Sequence, residues 1–260
     1  MGKMSILVAG RTSGLILLVV TSALLYYFMK RAGKGFVEEI RKLPPITAID
    51  EAISRAVEMG TPTFMTYGMA GGFTSDTLVG LSALRYLAKE TAEKGCELLV
   101  GVGGPRTLPV ARENYRTGCI EGGAPELFKD ENLHFFTSQQ WAYASGVMGL
   151  MEREKPAACI FMGYFLVEGI HFGINCRRIG TMSIAGNPGL NMSAFMFITM
   201  DYVLFGEELY AAGAYFTGSP VTINTLATED VIKWALVAIV ILGSVLATAG
   251  NTMITNLLGL

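Results

Sequence analysis

Charge is scarce in this sequence. Charged residues make up 16% of it, against roughly 25% in an ordinary soluble domain, and the deficit points toward lipid. Neither sign dominates: a formal net charge of -2 leaves no basic footprint to neutralise a run of phosphates, which counts against nucleic acid as a partner. Histidine is nearly missing, with only His134 and His171, and no GxSxG elbow accompanies them, so a Ser-His-Asp hydrolase has little support. The cysteines, Cys96, Cys119, Cys159 and Cys176, lie too far apart for a CxxC redox or zinc motif and read as reduced core thiols. Neither GxGxxG nor the Lys-Ser/Thr of a P-loop occurs, so no motif licenses a dinucleotide or nucleoside triphosphate.

Hydrophobic residues, in contrast, make up 51%, and they concentrate at the two ends of the chain. Ser13–Met29 carries no charge, at the short end of what a bilayer core requires. A cleaved signal peptide is the competing reading, since Lys3 and Arg11 precede the run. No small-x-small cleavage site follows it, and Tyr26, Tyr27, Lys30 and Arg31 have the character of an interfacial anchor. Trp234–Leu260 is likewise uncharged. Gly243 with Ala247, and Ser244 with Thr248, place small residues at four-residue spacing in this second run, the pattern that lets another helix approach closely. Basic residues after the first run (Lys30, Arg31, Lys34, Arg41, Lys42) and Lys233 before the second put the middle of the chain in the cytoplasm. The expected layout is an extracytoplasmic tail over 1–12, a transmembrane helix over 13–29, a basic juxtamembrane linker over 30–42, a cytoplasmic α/β domain over 43–230 and a transmembrane helix over 234–256.

Between the ends, helix and strand signals alternate. Ile49, Ala52, Ile53, Ala56 and Val57 share one face of a helix over Thr47–Met59, with Thr47 and Asp50 as a capping-box-like start and Gly60 then Pro62 as a stop. An apolar stretch at Thr63–Met65 leads to Gly68, Gly71 and Gly72. Thr74, Ser75 and Asp76 then cap a helix to Lys94 with Leu78, Leu81, Leu84 and Ala88 inward. Glu97–Val102 reads as a strand, followed by Gly103-Gly104 and by Pro105 at a first helical position. Leu133–Phe136 is a strand, and Ser138–Glu154 a helix burying Trp141, Ala144, Met148 and Met151. Ala157–Met162, Ile179–Ala185 and Ala194–Met200 suit strands buried on both faces of a parallel sheet. Gly206–Phe216 closes the series as a helix, with Glu207 and Glu208 at its N-terminus. The pattern predicts a Rossmann-like, doubly wound, mostly parallel α/β domain, in which ligands bind outside the carboxyl ends of the strands.

The candidate ligand residues therefore lie in the turns after strands. Gly103, Gly104, Arg106 and Thr107 combine close backbone approach, a helix N-terminus and a positive charge. Gly71, Gly72, Thr74 and Ser75 form a second such turn, and Gly186-Asn187-Pro188-Gly189 a third. A tight strand-to-helix turn selects the same glycines without any ligand. Glu168 and His171 have the Glu-x-x-His spacing of a metal-bearing helix, but the second motif that a di-metal site needs is missing, and a partly buried Glu–His hydrogen bond accounts for the pair. The methionines, 14 in all, read as adaptable core filler. The sequence identifies no catalytic set, and no cofactor or metal is expected.

Three stretches, Gln140–Pro156 (QWAYASGVMGLMEREKP), Gly206–Tyr215 (GEELYAAGAY) and Leu43–Ile46 (LPPI), resemble a family of uncharacterised prokaryotic membrane proteins known as a domain of unknown function. The resemblance covers roughly Arg41 to Lys233. It implies a prokaryotic cell membrane and no activity. The expectation is a membrane-anchored assembly or accessory subunit, with the lipid bilayer, further copies of itself or other membrane proteins as partners. The alternative is a domain binding or transforming a small anionic ligand at the glycine-rich turns.

Overall fold

The computed structural model describes residues 43–69 and 72–248, together with 18–24, 26, 27 and 30. Ile40–Thr217 forms one compact unit, and the two terminal segments, Met1–Glu39 and Gly218–Leu260, group as another.

The compact unit opens with helix α1, Pro44–Met59. It starts before Thr47, because Pro44 and Pro45 occupy the first turn, where a missing N–H costs nothing. Thr47 is thus no cap, and its hydroxyl bonds back to the carbonyls of Leu43 and Pro44. At the other end Gly60 takes the left-handed conformation (φ 63°). Its N–H returns to Val57 O and that of Thr61 to Ala56 O, both at 3.1 Å, satisfying the last carbonyls of the helix.

There follow β1 Thr63–Gly68, α2 Ser75–Glu93, β2 Leu98–Val102, α3 Leu108–Glu121, β3 Leu133–Phe135, α4 Gln140–Glu154, β4 Ala158–Tyr164, α5 Glu168–Ile179, β5 Met182–Asn187, α6 Leu190–Thr199, β6 Tyr202–Phe205 and α7 Glu208–Thr217. The six strands make one parallel sheet in the order β3-β2-β1-β4-β5-β6. This is the order of a doubly wound dinucleotide-binding fold, with its topological switch point between β1 and β4. Ile49 and Ile53 of α1, Leu84 of α2, Tyr115 of α3 and Leu209 of α7 cover one face. Tyr143 and Val147 of α4, Phe172 of α5 and Met196 of α6 cover the other. Every residue of β1, β2 and β5 is buried, as a sheet clothed on both sides requires.

Several expectations are corrected here. Ala194–Met200 is not a strand: Ala194–Thr199 belongs to α6, Met200 follows its end, and the last strand is Tyr202–Phe205. Pro105 sits in a turn, and α3 begins at Leu108 with Pro109 in its first turn. Leu78 and Trp141 are not inward but half exposed.

In the second unit, helix α8 runs from Pro220 to Thr248. Among the described residues no helix is long and apolar enough to cross a membrane, so the spans expected over 13–29 and 234–256 are not found there. Residues 1–17, 25, 28, 29 and 249–260 lie outside the described residues. Within α8, Glu229, Asp230 and Lys233 occupy the first half. The uncharged part from Trp234 to Thr248 covers about 22 Å at 1.5 Å per residue, short of the ~30 Å of a bilayer core.

Candidate functional site

In a sheet of this order the connections from β1 and β4 leave in opposite directions, and the crevice opens between their carboxyl ends. Here those ends meet backbone to backbone. The pairing register shifts between Thr66 and Gly68, and Gly68 has φ 88°, a conformation that disfavours other residues. A Cβ there would lie 2.4 Å from Tyr164 O, and one on Gly163 would lie 2.3 Å from Tyr67 O. Over the same spot, a Cβ on Gly80 of α2 would meet Tyr67 Cβ at 2.4 Å and Met162 O at 2.5 Å.

Two hydroxyl chains brace this junction. Tyr143, fully buried, bonds to Thr66 Oγ1 (2.5 Å), which donates to Gly101 O (2.7 Å). Tyr67 bonds to Thr107 Oγ1 (3.0 Å), which donates to Gly104 O (3.0 Å). Burial pushes the Tyr67 hydroxyl up to about 12 despite the Thr107 bond, and burial raises Tyr143 as well. Both are therefore protonated donors at neutral pH.

The glycine-rich turns are brought side by side, because β1 and β2 are neighbours. Gly103 is buried, and a Cβ on it would lie 2.9 Å from Met69 Cα and 3.1 Å from Tyr143 Cδ2. Its glycine thus serves packing between the two turns. Gly104 is buried and accepts from Thr107, whose hydroxyl is wholly engaged. Thr74 bonds to Thr77 (2.9 Å) and Ser75 to Tyr210 (3.3 Å). Gly72 faces open space, Arg106 is exposed, and Gly71 lies outside the described residues. In α8, the hydroxyls of Ser244 and Thr248 bond back to Val240 O and Ser244 O (both 2.8 Å). Gly243 is half-buried, and the Ala247 side chain is outside the described residues.

Two residues named from the sequence, Glu168 and Asn187, have partners that it did not foresee. Glu168 is 1% exposed. It accepts from the Leu166 N–H (3.0 Å) and the Gln140 side-chain amide, and its place at the first turn of α5 favours a carboxylate. The expected Glu168–His171 hydrogen bond does not form: His171 is exposed and packs edge-on against Trp141 at 5.8 Å. Asn187, at the end of β5, is fully buried. Its amide donates to Phe165 O (2.8 Å) and its Oδ1 accepts from the Gly189 N–H (3.2 Å), clamping the loops after β4 and β5 together. Between those loops lies an open cleft of about 410 Å³ lined by Tyr164, Phe165, Leu166, Gly189, Leu190, Asn191 and Met192. The Asn-Pro-Gly of that turn was the one available signal.

Chemically, the carboxyl edge is poor in ions and rich in apolar side chains. Arg106 and Glu207 are the exposed charges in its loops, while Phe73, Trp141, Tyr164, Leu166, Val167 and Leu190 are exposed there. The amino edge is the reverse: Lys129 pairs with Glu97 (2.8 Å), Arg112 with Asp130 (3.0 Å), and Arg178 with Glu152. No group of three His, Cys, Asp or Glu side chains converges among the described residues.

Neither the curated proteins nor the solved structures give a match to this chain. A family model does match, over residues 2–258, and so takes in both apolar ends as well as the α/β unit. The chain belongs to the family described as a domain of unknown function, DUF6754.

Proposed function

We propose that the protein is a membrane-anchored, non-catalytic assembly subunit of a prokaryotic cell, whose α/β domain faces the cytoplasm and docks other subunits. One observation carries this reading. The carboxyl edge, where this fold binds its ligands, exposes apolar and aromatic side chains and, among the described residues, offers no acid–base pair. Exposed apolar clusters of this kind mark interaction surfaces, and catalysis needs a nucleophile, acid or base in mutual reach. The anchors are the uncharged runs at 13–29 and 234–256, both inside the span matched by the family model, with Lys30, Arg31, Lys34, Arg41, Lys42 and Lys233 holding the middle on the cytoplasmic side.

The test is extraction from membranes in mild detergent followed by native mass determination. A homo-oligomer or a stable complex with other membrane proteins is the expected result. A small monodisperse species carrying an anionic metabolite would overturn it.

That outcome would favour the second reading, a phosphate or carboxylate site at the glycine-rich turns. Its support is the strand order, which sets Gly72 and Arg106 in adjacent loops beside the switch point.

A further inference from the structure

We propose that the outward face of α6, with the cleft beside its first turn, is the contact between copies of this chain; the proposal rests on the assembly reading above. At 100° per residue, Phe197, Leu190, Ala194, Ile198, Asn191 and Phe195 fall within one arc of about 160°. All six are exposed, and the large ones strongly so: Leu190 68%, Phe195 50%, Phe197 61%, Ile198 65%. Only Ser193 and Met196 of the helix are buried. A ten-residue helix that turns most of its apolar surface outward is covered by something.

Charge decides between lipid and protein as the cover. No Lys or Arg occurs between Arg178 and Lys233. The charges nearest the face along the chain are acidic, Asp201 just past its C-terminal end and Glu207 beside Leu190, where a Cβ on Gly206 would lie 2.9 Å from Leu190 Cδ2. A helix lying on an anionic membrane surface carries Lys and Arg on its flanks, and this one has none. A protein partner fits.

Shape then points to a second copy. Gly169 of α5 packs at Met196, and Gly173 at Thr199. The first turns of α6 therefore project roughly 6–8 Å beyond the start of α5 at 1.5 Å per residue. Leu190 is the most exposed large apolar side chain of this projection, and it stands on the rim of the 410 Å³ cleft walled by Tyr164, Leu166 and Met192. A knob next to a hole on one surface is what an isologous contact needs, since each copy then fills the other's cleft. The exposed halves of the four large side chains offer roughly 400 Å², about half of the ~800 Å² per partner that a stable interface buries. The cleft walls and Val167 extend the same apolar surface.

The experiment uses the full chain in mild detergent, with native mass spectrometry over a dilution series. Leu190→Asp puts a carboxylate at the first position of α6, where a helix tolerates it, and Phe195→Ser removes a ring that is half exposed and outside the buried core. Each is expected to weaken self-association roughly a hundredfold, as loss of an interface anchor does, while the melting temperature holds. In a separate variant, Asn191→Cys is expected to cross-link between copies under mild oxidation, and Glu113→Cys on the far face is not. The native thiols are all buried and give no background. A wild-type oligomer unmoved by Leu190→Asp and Phe195→Ser, with no cross-link at 191, overturns the α6 contact and leaves the assembly reading standing. A complex holding one copy plus other proteins also overturns it. A wild type that is monomeric and alone sinks both.

Discussion

Asn187 is where the cleft can be loosened without touching its walls, and the sign of the effect with pH is the test. The side chain donates to Phe165 O at 2.8 Å and accepts from Gly189 N–H at 3.2 Å, and it is fully buried. Asn187→Leu strands both partners; at ~1–3 kcal/mol for each unsatisfied group the domain loses about 2–6 kcal/mol. For a unit of this size that lowers Tm by roughly 4–24 °C. Asn187→Asp is the sharper probe. Ionised, the new carboxylate still accepts from Gly189 but faces the Phe165 carbonyl with a buried charge. Protonated, it donates to that carbonyl and restores the clamp. Its folded-state pKa must therefore lie above the unfolded value of about 3.9. Stability is then fully kept below the unfolded pKa and lost as pH rises through the folded one, at about 1.4 kcal/mol per unit of displacement. Thermal melts of the detergent-solubilised chain from pH 4 to 8, each expressed relative to wild type, should show Asn187→Asp near wild type in acid and falling toward or below Asn187→Leu at neutral pH. Parallel profiles for the two variants would refute the clamp.

Other consequences are simpler to state. Gly80→Ala gains ~1 kcal/mol of helix propensity, yet its methyl would meet Tyr67 Cβ and Met162 O, so a net loss of about 1–3 kcal/mol from overpacking is expected in a melt; a gain would mean that α2 does not lie so close on the sheet. Arg106→Ala should leave stability within ~0.5 kcal/mol. Under the assembly reading inorganic phosphate stabilises neither form, whereas phosphate stabilisation lost with Arg106 would promote the anion site. The Lys129 and Asn132 hydrogen bonds hold the Glu97 carboxyl below its usual range, so they contribute stability above the unfolded pKa that is lost as pH falls through the folded one. Lys129→Ala should therefore narrow the gap to wild type in acid melts below about pH 4.

The alternation of elements was legible because each carries a period or run that backbone geometry imposes. Ala157–Met162 is apolar throughout because β4 is covered on both faces, and Ile49, Ala52, Ile53 and Ala56 share one face because α1 has only one side on the sheet. Strand order was not legible, since β1 pairs with β4 through contacts across some 90 positions that no local pattern encodes. At Gly103 packing alone accounts for the glycine. Gly103 is glycine because Met69 and Tyr143 press on it, and a sequence does not distinguish a backbone that must admit a phosphate from one that must admit another turn. Glu168 and Asn187 were picked out by spacing and turn composition, but their partners were not legible, because Gln140 and Phe165 come from other elements.

The strand that proved to be a helix carries the proposed contact. Ala194–Met200 reads as a buried strand because it is an uncharged apolar run with Phe195, Phe197 and Ile198 in close succession. A strand would alternate faces and hide all three. As part of α6 the same residues spread around a helix whose own domain covers only Ser193 and Met196. Apolarity in a sequence records that a residue is withdrawn from water, whichever molecule withdraws it. When the fold leaves such a run exposed, it marks an interaction surface. Under the proposal above the inward-looking sequence and the outward-facing helix agree: the inner side of α6, Ser193 and Met196, is core of the domain, and its outer side is the surface assigned to the contact between copies.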